Sequence, residues 1–288
     1  MEDKGSITIR KAVINQAINY IFEHIDEDIT VEDVAKYCSY SKYHLTRMFK
    51  EDMDEALYQF IKRVRLERSA WRLKVEKERS ITEIGETYGY SSSNFATAFK
   101  KHLDISPADY RRSSEQMVED SSFSHGMTLD DLDDAGSKIT VEYLATFTVL
   151  YERKKGNYHN MSDEWCDFIE KYRYLATKDT LYIDCTIDDP SITDEDGCMY
   201  ELCQTVIPDH PVLKDHPEIL LHDFEGGKYA VYHFKGVPQL LFMVYQEIFC
   251  RWLSKTGNEI DERPIIDIYR KIEEDGYMEI DICFPLKE

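Results

Sequence analysis

Residues 80–112, SITEIGETYGYSSSNFATAFKKHLDISPADYRR, decide the fold of the first part of this 288-residue chain. Ser80 followed three positions later by Glu83 is the pattern of a capping box, so a helix is predicted to begin here. Gly89 ends that helix at a sharp turn, and two phenylalanines one turn apart predict a second helix with a buried face. Two short helices about a glycine turn form a helix-turn-helix, whose second helix enters a major groove of DNA.

A third helix is predicted after this pair, because Ser106 and Pro107 supply a cap and a first-turn proline. The window resembles the DNA-binding signature of the AraC/XylS family. The residues that carry the resemblance are Ile84, Gly89-Tyr90, Phe95, Phe99-Lys100, Ser106-Pro107 and Tyr110-Arg111.

Three features depart from the family pattern. Gly85 stands where the family usually has Ala, and Asp104 stands where it usually has Gly. Only four residues separate Tyr90 from Phe95, where five are commoner. This shorter spacing leaves two registers open for the second recognition helix, one residue apart.

A similar unit begins 50 residues earlier. Thr30 is the predicted cap of its first helix, with Asp33 at the capping-box position. Ser41 opens the next segment, SKYHLTRMFKED, whose apolar residues are expected to face inward. This unit also resembles the AraC/XylS family, most closely the subgroup that controls multidrug and stress responses, although Asp54 replaces the usual Gly. The residues left on the outward face are Lys42, Tyr43, Thr46, Arg47 and Lys50.

The two units are expected to be held apart by a rigid helix. Residues 8–26 predict a first core helix, and residues 57–74 predict the connecting helix. A helix of that length spans about 26 Å. It could hold two recognition helices about one duplex turn apart, roughly 34 Å, within a single chain.

The outward residues of the two units differ in their chemistry. Arg47 could pair with guanine, but it could also contact a phosphate or remain a solvated charge. In the second unit Ser92, Ser93, Asn94 and Thr97 offer no long donor, which favours reading of DNA shape. The predicted phosphate anchors are Lys100, Lys101 and Arg111.

The formal net charge of −21 at first argues against a nucleic-acid partner. However, residues 1–114 hold 19 basic and 19 acidic residues, whereas residues 115–288 hold 16 and 37. Residues 42–79 carry 11 basic and 7 acidic side chains, enough for a local phosphate-binding face. The acidic half either suppresses non-specific DNA binding or serves only solubility.

Seven cysteines without a CxxC pair predict neither a zinc site nor a disulfide framework, and favour reduced thiols in a cytoplasm. The nine histidines are dispersed, so no metal cluster and no cofactor are expected. No run approaches eighteen apolar residues, and the N-terminus lacks the core of a signal peptide. We therefore expect a cytoplasmic protein without a membrane partner.

The chain is expected to divide into two domains joined by a linker. Residues 115–137 are acidic, rich in serine and poor in apolar residues, a composition typical of a partly disordered linker. The predicted DNA-binding domain is therefore residues 1–114, and the second domain is residues 138–288.

The second domain predicts strands and helices in a repeated order, and Lys235-Gly236 repeats Lys155-Gly156. Two strand–helix–strand–strand units imply a pseudo-twofold α+β domain with a groove between its halves. Strands are predicted at 139–151, 181–183, 199–207, 228–234, 265–269 and 278–284, and helices at 162–172 and 241–252.

This half resembles the GyrI-like effector-binding fold over residues 138–287. The matching segments are FTVLYERKKG, GGKYAVYHFKG, Trp252-Leu253 and RPIIDIY. That family usually has Glu where Asp267 stands, and the carboxylate there lies in the ligand groove among aromatic residues. The resemblance therefore implies a small-molecule site around Asp267.

The candidate ligand-binding residues are aromatic and acidic. Aromatic walls around a carboxylate suit a lipophilic cation, through cation–π contact and charge pairing. The same aromatic residues could instead be ordinary core residues. The candidates are Tyr151, Trp165, Tyr200, Glu201, Tyr229, Asp267 and Tyr269.

The sequence thus favours a multi-domain transcription regulator, with an all-α double helix-turn-helix domain that binds double-stranded DNA and an α+β domain that binds a small effector. The family resemblance implies activation by contact with RNA polymerase. Two alternatives remain open: a small-molecule hydrolase fused to a DNA-binding domain, and a constitutive regulator whose second domain binds a protein partner. No GxSxG or Cys/His nucleophile pattern is present, so no catalytic residue is assigned.

Overall fold

The computed structural model describes residues 4–113, 135–158, 161–189, 191–194, 197–241, 244–245, 249–273 and 277–288. The chain divides into two compact units, Met1–Arg112 and Ser113–Glu288. The predicted linker lies outside the described residues except for its last three positions, 135–137. The predicted fold class is confirmed, because the first unit is helical and the second is built on a sheet.

The described part of the first unit is helical, and its helices follow the predicted order. The connecting helix and both helix-turn-helix pairs lie where the sequence patterns put them. The helices are α1 Lys4–Glu23, α2 Val31–Tyr37, α3 Lys42–Met53, α4 Leu57–Val75, α5 Ile81–Thr87, α6 Ser92–Leu103 and α7, residues 107–113.

The pair α2–α3 recurs as α5–α6 with an offset of 50 residues, and the ends of the helices coincide. Both predicted capping boxes form, at Thr30 and at Ser80. Asp54 and Asp104 end α3 and α6 in the left-handed conformation, with φ of 56° and 58°. Glycine adopts this conformation most readily, which explains why the AraC/XylS family usually has Gly at both positions.

Helix α4 lies between the two helix-turn-helix pairs and contacts both. Its 19 residues give a length of about 28 Å. The guanidinium of Arg65 donates to the backbone carbonyls of Ile25, at 3.3 Å, and Glu27, at 2.6 Å. Glu67 lies 3.3 Å from the ring nitrogen of His102 on α6. These contacts anchor α4 to the loop before α2 and to the second recognition helix.

Gly85 of α5 packs closely against Phe95 of α6. A Cβ atom added at Gly85 would lie 2.8 Å from the ring of Phe95, which is 1% exposed. We expect Gly85→Ala to lower the free energy of unfolding by about 1–2 kcal/mol, because overpacking outweighs the gain in helix propensity. Urea denaturation measures this change. Adding Phe95→Leu should relieve the contact, so a purely additive double variant would contradict the explanation.

The described residues of the second unit form one antiparallel sheet of eight strands. The strands are β1 Thr140–Leu144, β2 Phe147–Lys155, β3 Tyr182–Thr186, β4 Met199–Thr205, β5 Leu220–Phe224, β6 Gly227–Gly236, β7 Ile265–Ile272 and β8 Met278–Pro285. Their order in the sheet is β1-β6-β8-β7-β3-β4-β2-β5. Helix α8 (Met161–Tyr172), the short α9 (Pro211–Asp215) and α10 (Phe249–Thr256) accompany the sheet.

The sheet has a pseudo-twofold axis between β3 and β7. An offset of 80 residues carries β1, β2 and β4 onto β5, β6 and β8 with their pairing registers unchanged. An offset of 83 residues carries β3 onto β7, so that Asp184 corresponds to Asp267. These two residues are also direct cross-strand partners. The pseudo-twofold axis therefore passes between them.

The prediction of one strand over residues 139–151 is wrong, since the chain leaves β1 at Leu144 and enters β2 at Phe147. β1 pairs with β6, and β5 pairs with β2, so the first strand of each repeat is hydrogen-bonded to the second strand of the other repeat. The exchange forces a close crossing at Gly226, where an added Cβ would lie 2.5 Å from the Leu144 carbonyl oxygen. Each unit is therefore strand–strand–helix–strand–strand, and the predicted order strand–helix–strand–strand is wrong because it merged two strands into one.

Other boundaries shift, and two elements were not predicted. The helix expected from Ser162 begins at Met161, and the second predicted helix is represented by α10, with residues 242–243 and 246–248 outside the described part. β5 and α9 had no sequence prediction. The remaining predicted strands are confirmed as β3, β4, β6, β7 and β8.

Candidate functional site

The two faces of the sheet separate the predicted ligand-binding residues. Directly paired residues share a face, and successive residues along a strand alternate between faces. Tyr200, Asp267 and Tyr269 share one face, on which α8 packs through Trp165; we call it the helix-covered face. The opposite face carries Tyr151, Glu201 and Tyr229.

Two carboxylates meet at the centre of the helix-covered face. Asp184 is 4% exposed and Asp267 is 3% exposed, and as cross-strand partners their Cβ atoms lie about 4.5–5.5 Å apart. The hydroxyl of Tyr269 donates to Asp184 at 2.6 Å, and that of Tyr245 donates to Asp267. Oδ1 of Asp267 is buried and has no hydrogen-bond partner among the described residues. We call Asp184 and Asp267 the central carboxylate pair.

Burial raises the pKa of both carboxyls in this pair. The pKa of Asp184 rises to about 7, although the hydrogen bond from Tyr269 opposes the rise. Burial also raises the pKa of Asp267 well above its ordinary value, and the charge of Asp184 raises it further. Two carboxylates so close and so dry do not readily ionise together. The pair therefore retains a proton near neutral pH.

Aromatic rings flank the central carboxylate pair from both repeats. Trp165 belongs to the first repeat and Tyr245 to the second, and the two are 80 residues apart in the sequence. The Trp165 ring centre lies 5.4 Å from that of Tyr269 and 6.2 Å from that of Tyr182. The ring of Tyr245 lies 5.7 Å from that of Phe284. A cation placed against the carboxylates would therefore meet aromatic rings on either side.

The predicted candidates on the opposite face already have partners there. Glu201 lies 3.0 Å from the Arg153 guanidinium and 3.1 Å from His222. Burial alone would raise the pKa of Glu201, but the charges of Arg153 and His222 outweigh it and hold that pKa at about 2. The Tyr151 ring packs against His222, and Tyr229 is 1% exposed. The structure does not bring these three candidates to Asp267.

Glu201, Cys203 and His222 bring their potential ligand atoms within 4.8 Å of one another, which the dispersed histidines did not predict. The donor set does not fit a metal ion well. Arg153 already forms an ion pair with the Glu201 carboxylate, and its positive charge opposes the binding of a metal cation. Burial raises the pKa of Cys203 well above its ordinary value, so the sulfur remains a thiol.

Sequence reasoning missed Asp184 and Tyr245, which complete the centre of the helix-covered face. The signal for Asp184 was present, because Ile183-Asp184 and Ile266-Asp267 recur in the equivalent strands. The registers of these strands show that the two carboxylates meet, which the sequence pattern alone did not.

In the first unit, the predicted DNA-contacting residues of α3 lie on its outward side. Tyr43 is 79% exposed, and Thr46 is half-buried. Arg47 lies 3.5 Å from Glu51 one turn on, and Lys42 pairs with Glu32. Lys50 is exposed. These surface ion pairs are weak enough to exchange for phosphate or base contacts.

On α6 every predicted residue is exposed, whereas Arg111 on α7 is half-buried. The spacing that departs from the family pattern also occurs in the first unit, where four residues separate Tyr40 from Leu45. The two recognition helices therefore share one register, in which Thr97 corresponds to Arg47. Sequence reasoning did not select Ala96, although it is exposed on the same helix. The predicted residues of α6, all of them exposed, are Ser92, Ser93, Asn94, Thr97, Lys100 and Lys101.

Comparison with known proteins gives the class of each part. The family described as "Helix-turn-helix domain" matches residues 34–113, and "GyrI-like small molecule binding domain" matches residues 137–287. Since the second match covers more than half of the sequence, the chain belongs to the GyrI-like small-molecule-binding family. It combines that domain with an AraC-type helix-turn-helix domain and is a transcription regulator rather than an enzyme.

Three relatives are similar to this chain over different lengths. The Right origin-binding protein of Escherichia coli strain K12 is 28% identical over 253 residues, which cover 81% of this chain and 83% of that protein. The regulatory protein SoxS of Salmonella typhimurium strain LT2 is 37% identical over 100 residues, or 34% of this chain and 92% of SoxS. The transcriptional regulator Rob of the same strain is 38% identical over 104 residues, but the match spans only 36% of each protein.

Among the residues that the structure describes, no helix has both the length and the apolar character needed to cross a bilayer.

The exposed Arg47 on α3 can be tested for recognition of a DNA base. We expect Arg47→Ala to weaken binding to the preferred DNA site by about 1–3 kcal/mol and to relax the preference at one base pair. Selection from a randomised DNA library measures both effects. Thr97→Ala is the matched change in α6 and should cost less, because threonine offers no long donor.

Lys101→Ala is the control for a phosphate contact. It should weaken binding to all sequences alike and reduce the salt slope by about one unit. A base-preference profile that Arg47→Ala leaves unchanged would assign Arg47 to the DNA backbone.

Proposed function

We propose that this chain is a cytoplasmic regulator that binds specific DNA sites, activates transcription through contact with RNA polymerase, and senses a lipophilic cation with its C-terminal domain. The observation that carries the proposal is the central carboxylate pair, which is buried among aromatic rings in a domain whose family binds small molecules. The DNA-binding part rests on the two exposed recognition helices.

The first unit supports binding of DNA by a single chain. The recognition helices α3 and α6 have the same length of 12 residues and the same left-handed end, and both contact α4. Helix-turn-helix proteins usually obtain two such helices by dimerisation, at half-sites about one duplex turn apart. Here the 50-residue repeat supplies both helices in one polypeptide. Two of the relatives, the transcriptional regulator Rob and the Right origin-binding protein, carry names that agree with a DNA partner.

We expect the full chain to bind its DNA site as one monomer across two adjacent major-groove segments. Sedimentation of the complex with a fluorescent duplex gives the number of chains per site, and footprinting gives the protected length. Two chains on the minimal site would contradict the proposal. Protection of only one groove segment would show that α6 does not insert.

The ligand preference follows from the electrostatics of the helix-covered face. A cation favours the ionised form of Asp267, whereas burial and the neighbouring Asp184 favour the protonated form. A cation bound against Asp267 therefore competes with the proton on that carboxyl. Since protonation competes with the ligand, affinity falls as the pH falls, by up to about tenfold per unit for each proton displaced.

We expect Asp267→Asn, which keeps the size and removes the charge, to weaken lipophilic cations by about 10- to 100-fold and neutral aromatic analogues much less. Calorimetric titration of a panel of cations and neutral compounds between pH 5 and pH 8 measures this difference. In the variant the pH dependence of cation affinity should also become flatter.

Glu201→Gln is the matched control, because Glu201 is an equally buried acid on the opposite face. It should leave cation preference unchanged. Equal binding of cations and neutral compounds by the wild type and by Asp267→Asn would remove Asp267 from the mechanism.

A further inference from the structure

Asp184 gives the helix-covered face a second carboxylate that no sequence prediction assigned to the ligand. It corresponds to Asp267 in the internal repeat and lies directly opposite it, so the two carboxylates straddle the pseudo-twofold axis. Each accepts a hydrogen bond from a different tyrosine, and each is nearly inaccessible to water. A site that recognised only one positive charge would need only one of these two groups.

The surroundings of the central carboxylate pair are aromatic, acidic or apolar. Tyr269 on β7 faces Asp184, Tyr245 faces Asp267, and Trp165 of α8 packs on Tyr269. From the neighbouring strands, Leu202 of β4 and Ile282 of β8 are the cross-strand partners of the pair. The influences that shift the two pKa values are burial, the two tyrosines and the carboxylates themselves.

A second buried polar group on this face also lacks a partner. The side chain of Gln204 is fully buried, and neither its amide nitrogen nor its amide oxygen has a hydrogen-bond partner among the described residues. Gln204 pairs across the strands with Tyr182, which in turn pairs with Tyr269. Buried polar groups are almost always satisfied, so unsatisfied groups at Gln204 and at Oδ1 of Asp267 favour a ligand that supplies polar atoms here.

We propose that Asp184 and Asp267 act together as a binding site for an amphipathic dication, a molecule with two ammonium-type groups joined by a short apolar or aromatic spacer. This inference rests on the proposed function, because it takes the cation site as given and adds its second charge. One ammonium group meets Asp267 near Tyr245, and the other meets Asp184 near Tyr269. The aromatic rings pack on the spacer between them.

The proposal predicts how many protons leave the site. In the empty domain the pair holds at least one proton near neutral pH, because two dry carboxylates at this distance repel each other. A monocation ionises only one carboxyl. A dication neutralises both carboxylates and should therefore displace more protons, so its affinity should rise more steeply with pH.

The test compares two ligands of similar shape, p-xylylenediamine with two ammonium groups and 4-methylbenzylamine with one. Calorimetric titration of the full chain at pH 7, in two buffers of different ionisation enthalpy, gives affinity and proton release together. We expect the wild type to bind the diamine at least tenfold more tightly and to release more protons with it. Asp184→Asn should abolish this preference while leaving the affinity for the monoamine within about threefold.

Three controls separate the outcomes. Asp267→Asn should weaken the binding of both amines. Asp281→Asn should leave the preference for the diamine unchanged, since Asp281 is a buried acid of the opposite face that is paired with His233. Thermal melting should show that each variant is folded. Equal binding of both amines by the wild type, or an equal loss of both in Asp184→Asn, would overturn the dication site while the proposed function stands. Binding of neither amine at millimolar concentration would contradict both.

Discussion

The cross-strand pairing of Asp184 with Asp267 is the constraint around which the C-terminal domain is arranged. A slip of one residue between β3 and β7 would turn one carboxylate to the opposite face and away from the tyrosine that donates to it. The registers of the flanking strands are the same on both sides of this pair. The register that makes the sheet symmetric therefore also places the two carboxylates opposite each other. The cost of burying two acids is offset only partly by tyrosine hydrogen bonds, so the pair favours retaining a proton.

Both domains contain an internal repeat, and in each the repeat has diverged where it would contact a partner. In the first domain the capping boxes and the left-handed helix ends are kept, while Arg47 is replaced by Thr97 on the outward face. In the second domain the central Asp is kept, while Trp165 in one helical segment becomes Tyr245 in the other. Retained positions support the fold, and changed positions make the two halves chemically unequal.

Local patterns were sufficient for most of the fold. The capping boxes at Thr30 and Ser80 and most strands of the second domain were predicted, because caps and alternation act over a few residues. The exchange of β1 and β5 was not, since the choice of a pairing partner is non-local. The opposite orientation of Glu201 and Asp267 was also missed, because alternation separates the faces but does not say which face packs on helices. Asp184 could have been found from the repeat, whereas its contact with Asp267 needed the register.

The central claim is that the carboxylate pair holds a proton until a cation replaces it. Infrared difference spectroscopy with ¹³C-labelled aspartate measures this directly, with Asp184→Asn and Asp267→Asn used to assign the bands. In the ligand-free protein at pH 7, the account predicts a protonated-carboxyl band that belongs to this pair and disappears when the diamine is added. A free protein in which both carboxyls are already ionised, or a band of unchanged intensity in the complex with the diamine, would contradict it.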